Sequence, residues 1–387
     1  MQNFIYSIPT EVYFGKGQIN KIGKLAKECG KKALLVYGGG SIKKTGLYDE
    51  IMNKLAEAEI TVSEMNGVEP NPKIESVEKG ISICKNESID VVIAVGGGSV
   101  IDCAKTIAAG VYYDGPAWDI VKDCTKITNA LPIITVLTIA ATGSEMDYYA
   151  VISNMATNEK ISIYSKFIFP KYSILDPTYT ETVSAYQTSS GVADIISHVF
   201  EVYFQKCGDT YFQDRMMEGI LKTCFEYGKI ALDNPNDYDA RANLMWASSW
   251  AINGFIACGK SGAWVCHPME HQLSAYYDIT HGIGLAVIIP HWMRHILNDS
   301  IVSVFVDYGV NVWNIDSSLA PYTIANMAID MTEDYFRTLG IPSKLSEIGI
   351  TDKDKFEEMA ENAAKSLSKA YVPLSKDDVL KIFEEAF

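Results

Sequence analysis

Two hydrophobic rhythms divide the chain. Up to about residue 180, short apolar runs such as ALLVY, VVIAV and LPIITVL alternate with amphipathic stretches such as GLYDEIMNKLAEA and PKIESVEKGISICKNE. Continuous Val, Ile and Leu runs mark strands covered on both faces, hence a parallel sheet. The pattern predicts two short extended pieces around Pro9, a strand in KKALLVYGGGS, a helix after it and a strand in ITVSEMNGV. A helix from near Pro72, a strand–turn–helix in IDVVIAVGGGSVIDCAKTIAAG and a further buried strand in LPIITVLTIAATGSE follow. From Ser184 to Phe387 the spacing is almost wholly helical, as in KDDVLKIFEEAF. Pro177 interrupts any regular element near Asp176–Thr182. The expectation is an α/β domain over 1–180 followed by an all-α domain over 181–387, with a cleft between them. The apolar stretch LMWASSWAINGFIACGKSGAWV is broken by Asn253, Lys260 and several Ser and Gly, and reads as buried helix rather than a membrane span.

Composition narrows the task. The length of 387 residues suits roughly two to three domains of ~150 residues, and 48% hydrophobic residues suffice for a large core. A net charge of −15 argues against nucleic acid as a partner. The eight cysteines (29, 84, 103, 124, 207, 224, 258 and 266) form no C-x-x-C pair, which fits a reducing compartment and small buried side chains. The first residues show no basic segment followed by an apolar run, so a cytoplasmic location is expected.

The glycine turns carry the first chemical signal. In VVIAVGGGSVIDCAK, Gly96, Gly97, Gly98 and Ser99 join a buried strand to a helix. Such a turn lets the backbone approach a pyrophosphate at a helix N-terminus. It is not G-x-G-x-x-G, and a plain βα turn capped by Ser99, with Asp102 completing a capping box, competes with that reading. In VYGGGSIKKTG, Gly38, Gly39, Gly40 and Ser41 precede Lys43 and Lys44. An NAD-preferring fold usually ends its second strand with an acid for the ribose 2′-OH. This stretch has none, and its lysines would accept a 2′-phosphate, so NADP(H) is expected over NAD(H). Thr138, Thr142 and Ser144 in TIAATGSE stand at the end of another strand, where open α/β sheets bind ligands or simply turn.

Histidines carry the second signal. CHPMEHQLSAYYDITHG holds three of the six, His267, His271 and His281. His267–His271 fits H-x-x-E-H, the pattern of a peptidase in which Glu270 would activate water. In GVADIISHVFEVYF, Asp194 and His198 share one face of an apolar helix, where a divalent cation would satisfy both. A second set is therefore Asp194, His198, His267 and His281. A third pair, His291 and His295, has Arg294 beside it, a poor neighbour for a cation. The second set is favoured because it gives both halves of the chain a purpose.

Together, PTEVYFGKG, YGGGSIKKTG, AVGGGSVIDCAK, ATGSE, ADIISHVFE, HPMEHQLSA and THGIGLA resemble the iron-containing (group III) alcohol dehydrogenases, nearest the butanol dehydrogenase and NADPH-dependent aldehyde reductase subgroup. The resemblance runs to about residue 295. It implies a dinucleotide-binding domain joined to a helical metal domain. It implies one divalent metal, Fe2+ or Zn2+, on Asp194, His198, His267 and His281, with His271 beside the substrate; His271 is then the candidate proton relay, with the nicotinamide ribose 2′-OH or water as rivals. It puts Gly97, Gly98, Ser99, Asp102, Thr138, Thr142, Ser144 and Lys160 along the pyrophosphate and nicotinamide, and Gly38, Gly39, Ser41 and Lys43 at the adenosine end. The expected reaction is reversible hydride transfer between a nicotinamide and a small aliphatic aldehyde or alcohol. A homodimer is expected, with no membrane partner. A lyase related to dehydroquinate synthase is the other alternative, and would need a basic pocket for an anionic sugar acid.

Overall fold

The computed structural model describes residues 1–205 and 209–387. They form two compact units, one of residues 7–183 with 235–249, the other of residues 1–6, 184–234 and 250–387. Cys207 lies outside the described residues, and none of the other seven cysteines forms a disulfide.

The first unit holds β1 (Glu11–Phe14), β2 (Lys32–Tyr37), β3 (Thr61–Met65), β4 (Val91–Gly96), β5 (Ile133–Leu137), β6 (Tyr149–Asn154), β7 (Glu159–Tyr164) and β8 (Tyr172–Leu175). Six of them pair in parallel in the order β1-β8-β5-β4-β2-β3. The continuous apolar runs serve two cores. Leu34, Val36, Val92 and Ala94 face the helices Ile74–Glu87 and Gly98–Gly110. Ala33, Leu35, Tyr37, Ile93 and Val95 face Ile22–Lys27 and Leu47–Glu57. Burying each Val, Leu or Ile among these contributes about 1.5–3 kcal/mol, which is why every position in β4 and β5 is apolar or small. The chain runs outward from β2 to β3, then returns across β2 to β4. The strand order therefore reverses between β2 and β4, and the turns after these two strands are the two glycine-rich ones. Open α/β sheets bind ligands at such a switch point.

Several details depart from the hydrophobic pattern. Only one of the two extended pieces around Pro9 is a strand, Glu11–Phe14. β6 and β7 form an antiparallel hairpin outside the main sheet, to which the pattern assigns nothing. The apolar stretch after Leu244 is helical only as far as Ile252, within the helix Tyr238–Ile252. Most of that helix packs with the α/β unit. No described helix is long and apolar enough to cross a membrane.

The second unit is built from the helices Ala185–Tyr203, Tyr211–Asp233, Cys266–Tyr277, His281–Ile296, Val302–Trp313, Pro321–Thr338, Phe356–Leu367 and Lys376–Ala386. Phe200, Phe204, Trp292 and Tyr308 interlock edge to face in it, and Phe305 lies tilted against Phe204.

Candidate functional site

The helix Ala185–Tyr203 begins at Ser184, whose hydroxyl accepts from the Gln187 amide, and it is buried from Thr188 onward. Buried polar side chains are costly without partners. Asp194, His198 and Glu201 occupy positions i, i+4 and i+7, one stripe of this helix. The helix His281–Ile296 crosses it at Gly282, where a Cβ would stand 2.0 Å from the Ser190 carbonyl oxygen. That close crossing delivers His281, the first residue of its helix, to Asp194. His267 comes from the first turn of Cys266–Tyr277.

The donors meet around one oxygen. Asp194 Oδ1 lies 3.6 Å from His198 Nε2, 3.9 Å from His267 Nε2 and 3.7 Å from His281 Nε2. These separations exceed a hydrogen bond. They lie near the ~3.4 Å edge of a tetrahedron of ligands bonded at 2.0–2.1 Å to one ion. The donor atoms of Asp194, His267 and His281 all lie within 4.8 Å of one another, and His198 joins them through Asp194. The His198 and His267 rings stack with centroids 4.9 Å apart. Burial, and secondarily His267, drives His198 far below its usual value, so its ring is neutral.

Two carboxylates stand behind the imidazoles. Glu201 accepts from His267 Nδ1 at 2.9 Å, from the His267 amide at 2.7 Å and from the Val265 amide at 2.5 Å. Burial lifts its carboxyl to about 7 against the pull of these backbone donors. Glu270 accepts from His281 Nδ1 and from Ser274 Oγ. A carboxylate that accepts from Nδ1–H keeps the ring proton on that nitrogen and leaves the Nε2 lone pair for an ion. His198 has no such support, its Nδ1 being buried without a hydrogen-bond partner among the described residues. This donor set of imidazoles and a carboxylate fits Zn2+ and Fe2+ alike. The His271 ring lies 5.5 Å from that of His281 and 6.2 Å from that of His267, beside the four donors rather than among them.

The rival histidine readings fail on geometry. A peptidase needs Glu270 at a water, yet this side chain is fully buried with both oxygens engaged. His295 Nε2 is held by Asp378 at 3.0 Å. The cations that an anionic sugar acid would need are taken, Lys260 by Asp214 at 2.8 Å and Arg294 by Asp330 and Glu333 at 2.8 and 2.6 Å.

In the α/β unit, the expected nucleotide residues gather at the carboxyl ends of β2, β4 and β5. Gly97, in extended conformation, precedes the helix Gly98–Gly110, and no side chain caps it. Ser99 therefore lies inside the first turn, and the capping box of the competing plain-turn reading, Ser99 with Asp102, does not form. A Cβ on Gly98 would stand 2.4 Å from the Thr142 side chain, so this glycine lets the 138–144 loop pass. Asp102 secures that loop, accepting from Ser144 Oγ at 2.7 Å and from the Val151 amide at 2.9 Å. Burial raises its carboxyl to about 6. The Thr138 amide donates to Gly96 at 3.1 Å. Beneath lies a buried ion pair, Lys105 Nζ to Asp147 at 2.6 Å, with Lys105 also reaching the Tyr149 carbonyl at 2.8 Å. Lys160 sits on the hairpin strand β7, opposite Ser153. Gly38, Gly39, Ser41 and Lys43 follow β2, Lys43 within the short helix Ser41–Lys44.

Comparison with known families decides what this arrangement belongs to. The model of iron-containing alcohol dehydrogenases matches residues 9–177, and that of the C-terminal region of the Fe-containing alcohol dehydrogenase family matches 188–387. The chain is an iron-containing alcohol dehydrogenase family member. Among relatives in this family, NADH-dependent butanol dehydrogenase A of Clostridium acetobutylicum is 56% identical, with 100% of both chains covered. The NADPH-dependent aldehyde reductase YqhD of Escherichia coli is 37% identical over 90% of each. The crystal structure of NADH-dependent butanol dehydrogenase A from Thermotoga maritima superposes with a TM-score of 0.95 at 37% identity, covering 100% of this chain and 99% of that one. In this family member, the sequence pattern assigns no role to Glu201, the partner of His267, and offers Glu270 a role only as the base of the disfavoured peptidase reading. The i, i+4, i+7 stripe of Asp194, His198 and Glu201 was the available signal for the first.

Proposed function

We propose that the protein transfers a hydride reversibly between NAD(P)H and a small aliphatic aldehyde, giving the primary alcohol. The observation that carries this reading is the convergence of three imidazole Nε2 atoms on Asp194 Oδ1, with a carboxylate behind two of them. Butanol and related substrates are supported by the names of the butanol dehydrogenase and aldehyde reductase relatives.

In this reading Asp194, His198, His267 and His281 hold one divalent cation, Fe2+ or Zn2+. That ion supplies Lewis acidity to the carbonyl oxygen of the substrate. Glu201 and Glu270 fix the orientation of His267 and His281. Gly97, Gly98 and Ser99 offer backbone N–H groups to the pyrophosphate, and Thr138, Thr142 and Ser144 line the same edge with Asp102 and Lys160. Gly38, Gly39, Ser41 and Lys43 take the adenosine ribose. The aldehyde gains a hydride and a proton, and the nicotinamide is oxidised. His271, beside the metal donors, passes the proton to the product oxygen. Lys43 and Lys44, with no acid at the end of β2, favour NADP(H), whereas the butanol dehydrogenase relatives are named NADH-dependent.

The test follows the absorbance of reduced nicotinamide with butanal, using NADH and NADPH, before and after chelation and after add-back of Fe2+ or Zn2+. Loss on chelation and return with one of the ions is the expected result. No oxidation of either nucleotide with any of several aldehydes would overturn the proposal.

A further inference from the structure

The adenosine end holds a carboxylate that reading β2 alone does not show. β3 lies beside β2, with Leu35 opposite Glu64. Glu64 accepts from the Tyr37 hydroxyl at 2.8 Å and from the Tyr48 hydroxyl at 2.7 Å, one on each oxygen. Tyr37 ends β2, directly before Gly38, and Tyr48 lies in the first turn of the helix Leu47–Glu57. Lys43 Nζ is 3.9 Å from the same Glu64 oxygen that Tyr37 uses. It lies over the Tyr48 ring at 4.4 Å and the Tyr37 ring at 5.2 Å. The Tyr48 hydroxyl, more than any other neighbour, holds the Glu64 carboxyl below its usual range, so it is ionised at neutral pH.

We infer that Tyr48 and Glu64 clamp Lys43 and thereby set the nucleotide preference toward NADH. Resting on the reading that the adenosine ribose lies at Gly38–Lys43, this inference names the residues that choose between the two nucleotides. A 2′-phosphate carries nearly two negative charges. To use Lys43 it must draw the ammonium from an anion and two ring faces, and it then stands beside Glu64 itself. A ribose 2′-hydroxyl is neutral and meets an acceptor. Lys43, which by its place in this turn favours NADP(H), is thus partly neutralised before a ligand arrives. The two NADH-dependent butanol dehydrogenases of Clostridium acetobutylicum, 56% and 54% identical, agree with this direction.

The experiment measures dissociation constants of NADH and NADPH by fluorescence titration, with kcat/KM for each as a second readout. The wild type is expected to bind NADH more tightly than NADPH. Glu64→Gln removes the charge and leaves one acceptor oxygen for a tyrosine hydroxyl, its amide facing the other hydroxyl as a donor, and NADPH affinity should rise about five-fold while NADH changes less than about two-fold, the size expected of a half-exposed charge pair. Tyr48→Phe should move NADPH the same way by about three-fold, and guards against a folding defect in the first variant. Adding Lys43→Ala to Glu64→Gln should erase the gain. An unchanged NADPH constant in both single variants, or a gain that survives loss of Lys43, would overturn the clamp. Lys43→Glu separates this from the underlying reading. If it weakens NADPH while Glu64→Gln does nothing, the nucleotide binds here and only the clamp fails. If no variant in this turn, Lys43→Glu included, moves either constant, the adenosine end lies elsewhere and both fail.

Discussion

Gly282→Ala is the sharpest probe of how the four proposed metal ligands are assembled. The added Cβ would stand 2.0 Å from the Ser190 carbonyl oxygen and 2.8 Å from its carbon. Real Cβ atoms do not approach closer than 3.0 Å, so the helices must part by about 1 Å. The obstacle is backbone, which no rotamer change can clear. Overpacking of this kind costs about 1–3 kcal/mol. The larger effect falls on His281, the residue just before. Its Nε2 now lies 3.7 Å from Asp194 Oδ1. Two ligands bonded at 2.0–2.1 Å to one ion cannot be more than ~4.2 Å apart. A 1 Å retreat along that line takes His281 beyond the limit, leaving three donors. We expect metal affinity, measured on stripped protein against a competing chelator, to fall at least ~100-fold. The metal-dependent part of the melting temperature should shrink with it. Wild-type affinity in a folded Gly282→Ala protein would refute both the crossing geometry and the role of His281.

Glu201→Gln replaces an acceptor of three donors by a group with one acceptor oxygen, and metal affinity should fall about 10–100-fold with partial recovery in Glu201→Asp; an unchanged affinity at unchanged melting temperature would count against a positioning role. Glu270→Gln should lower metal occupancy about ten-fold, with turnover restored by excess metal, whereas loss of activity at full occupancy would point to direct chemistry. Glu145, fully buried in the α/β unit, is bonded at Oε1 by Ser249 and has no hydrogen-bond partner at Oε2 among the described residues. Burial raises its carboxyl to about 7 from the ordinary 4.5. A raised folded value means the native state holds this proton more tightly. Stability from this group is therefore fully present below about pH 4.5 and is lost as pH rises to about 7, by at most about 3 kcal/mol. Glu145→Gln should flatten that slope in urea melts taken across the window, and an unaltered slope would show that Glu145 ionises without cost.

Much of the architecture is written in local pattern. The Val/Ile runs of β2, β4 and β5 announce two-faced burial, and the glycines after β2 and β4 fall at the strand-order reversal. Asp194 and His198 are readable as one helix face. What local pattern cannot convey is which residues distant in sequence stand beside them. Glu64 belongs to a neighbouring strand, so the end of β2 looks free of acid when examined by itself. Glu270 invites a catalytic reading because its spacing from His267 and His271 matches a known motif, while its burial against His281 depends on how two helices meet. Ser99 looks like a cap because serine favours that position, yet the helix begins one residue earlier, at Gly98. The segment 235–249 has ordinary helical spacing, and nothing in it says that it packs with the sheet rather than with the helices around it in sequence.

The Gly98–Gly110 helix carries Asp102 and Lys105 three residues apart, and from them the polypeptide between Thr138 and Val151 is fastened at Ser144, Asp147, Tyr149 and Val151. A dinucleotide bound at this edge, as proposed, would meet a floor whose shape is already set, so little of its affinity would be consumed in freezing loose chain. Discrimination between related nucleotides is then left to the few side chains with room to rearrange, and Lys43, half exposed on its short helix, is one of them.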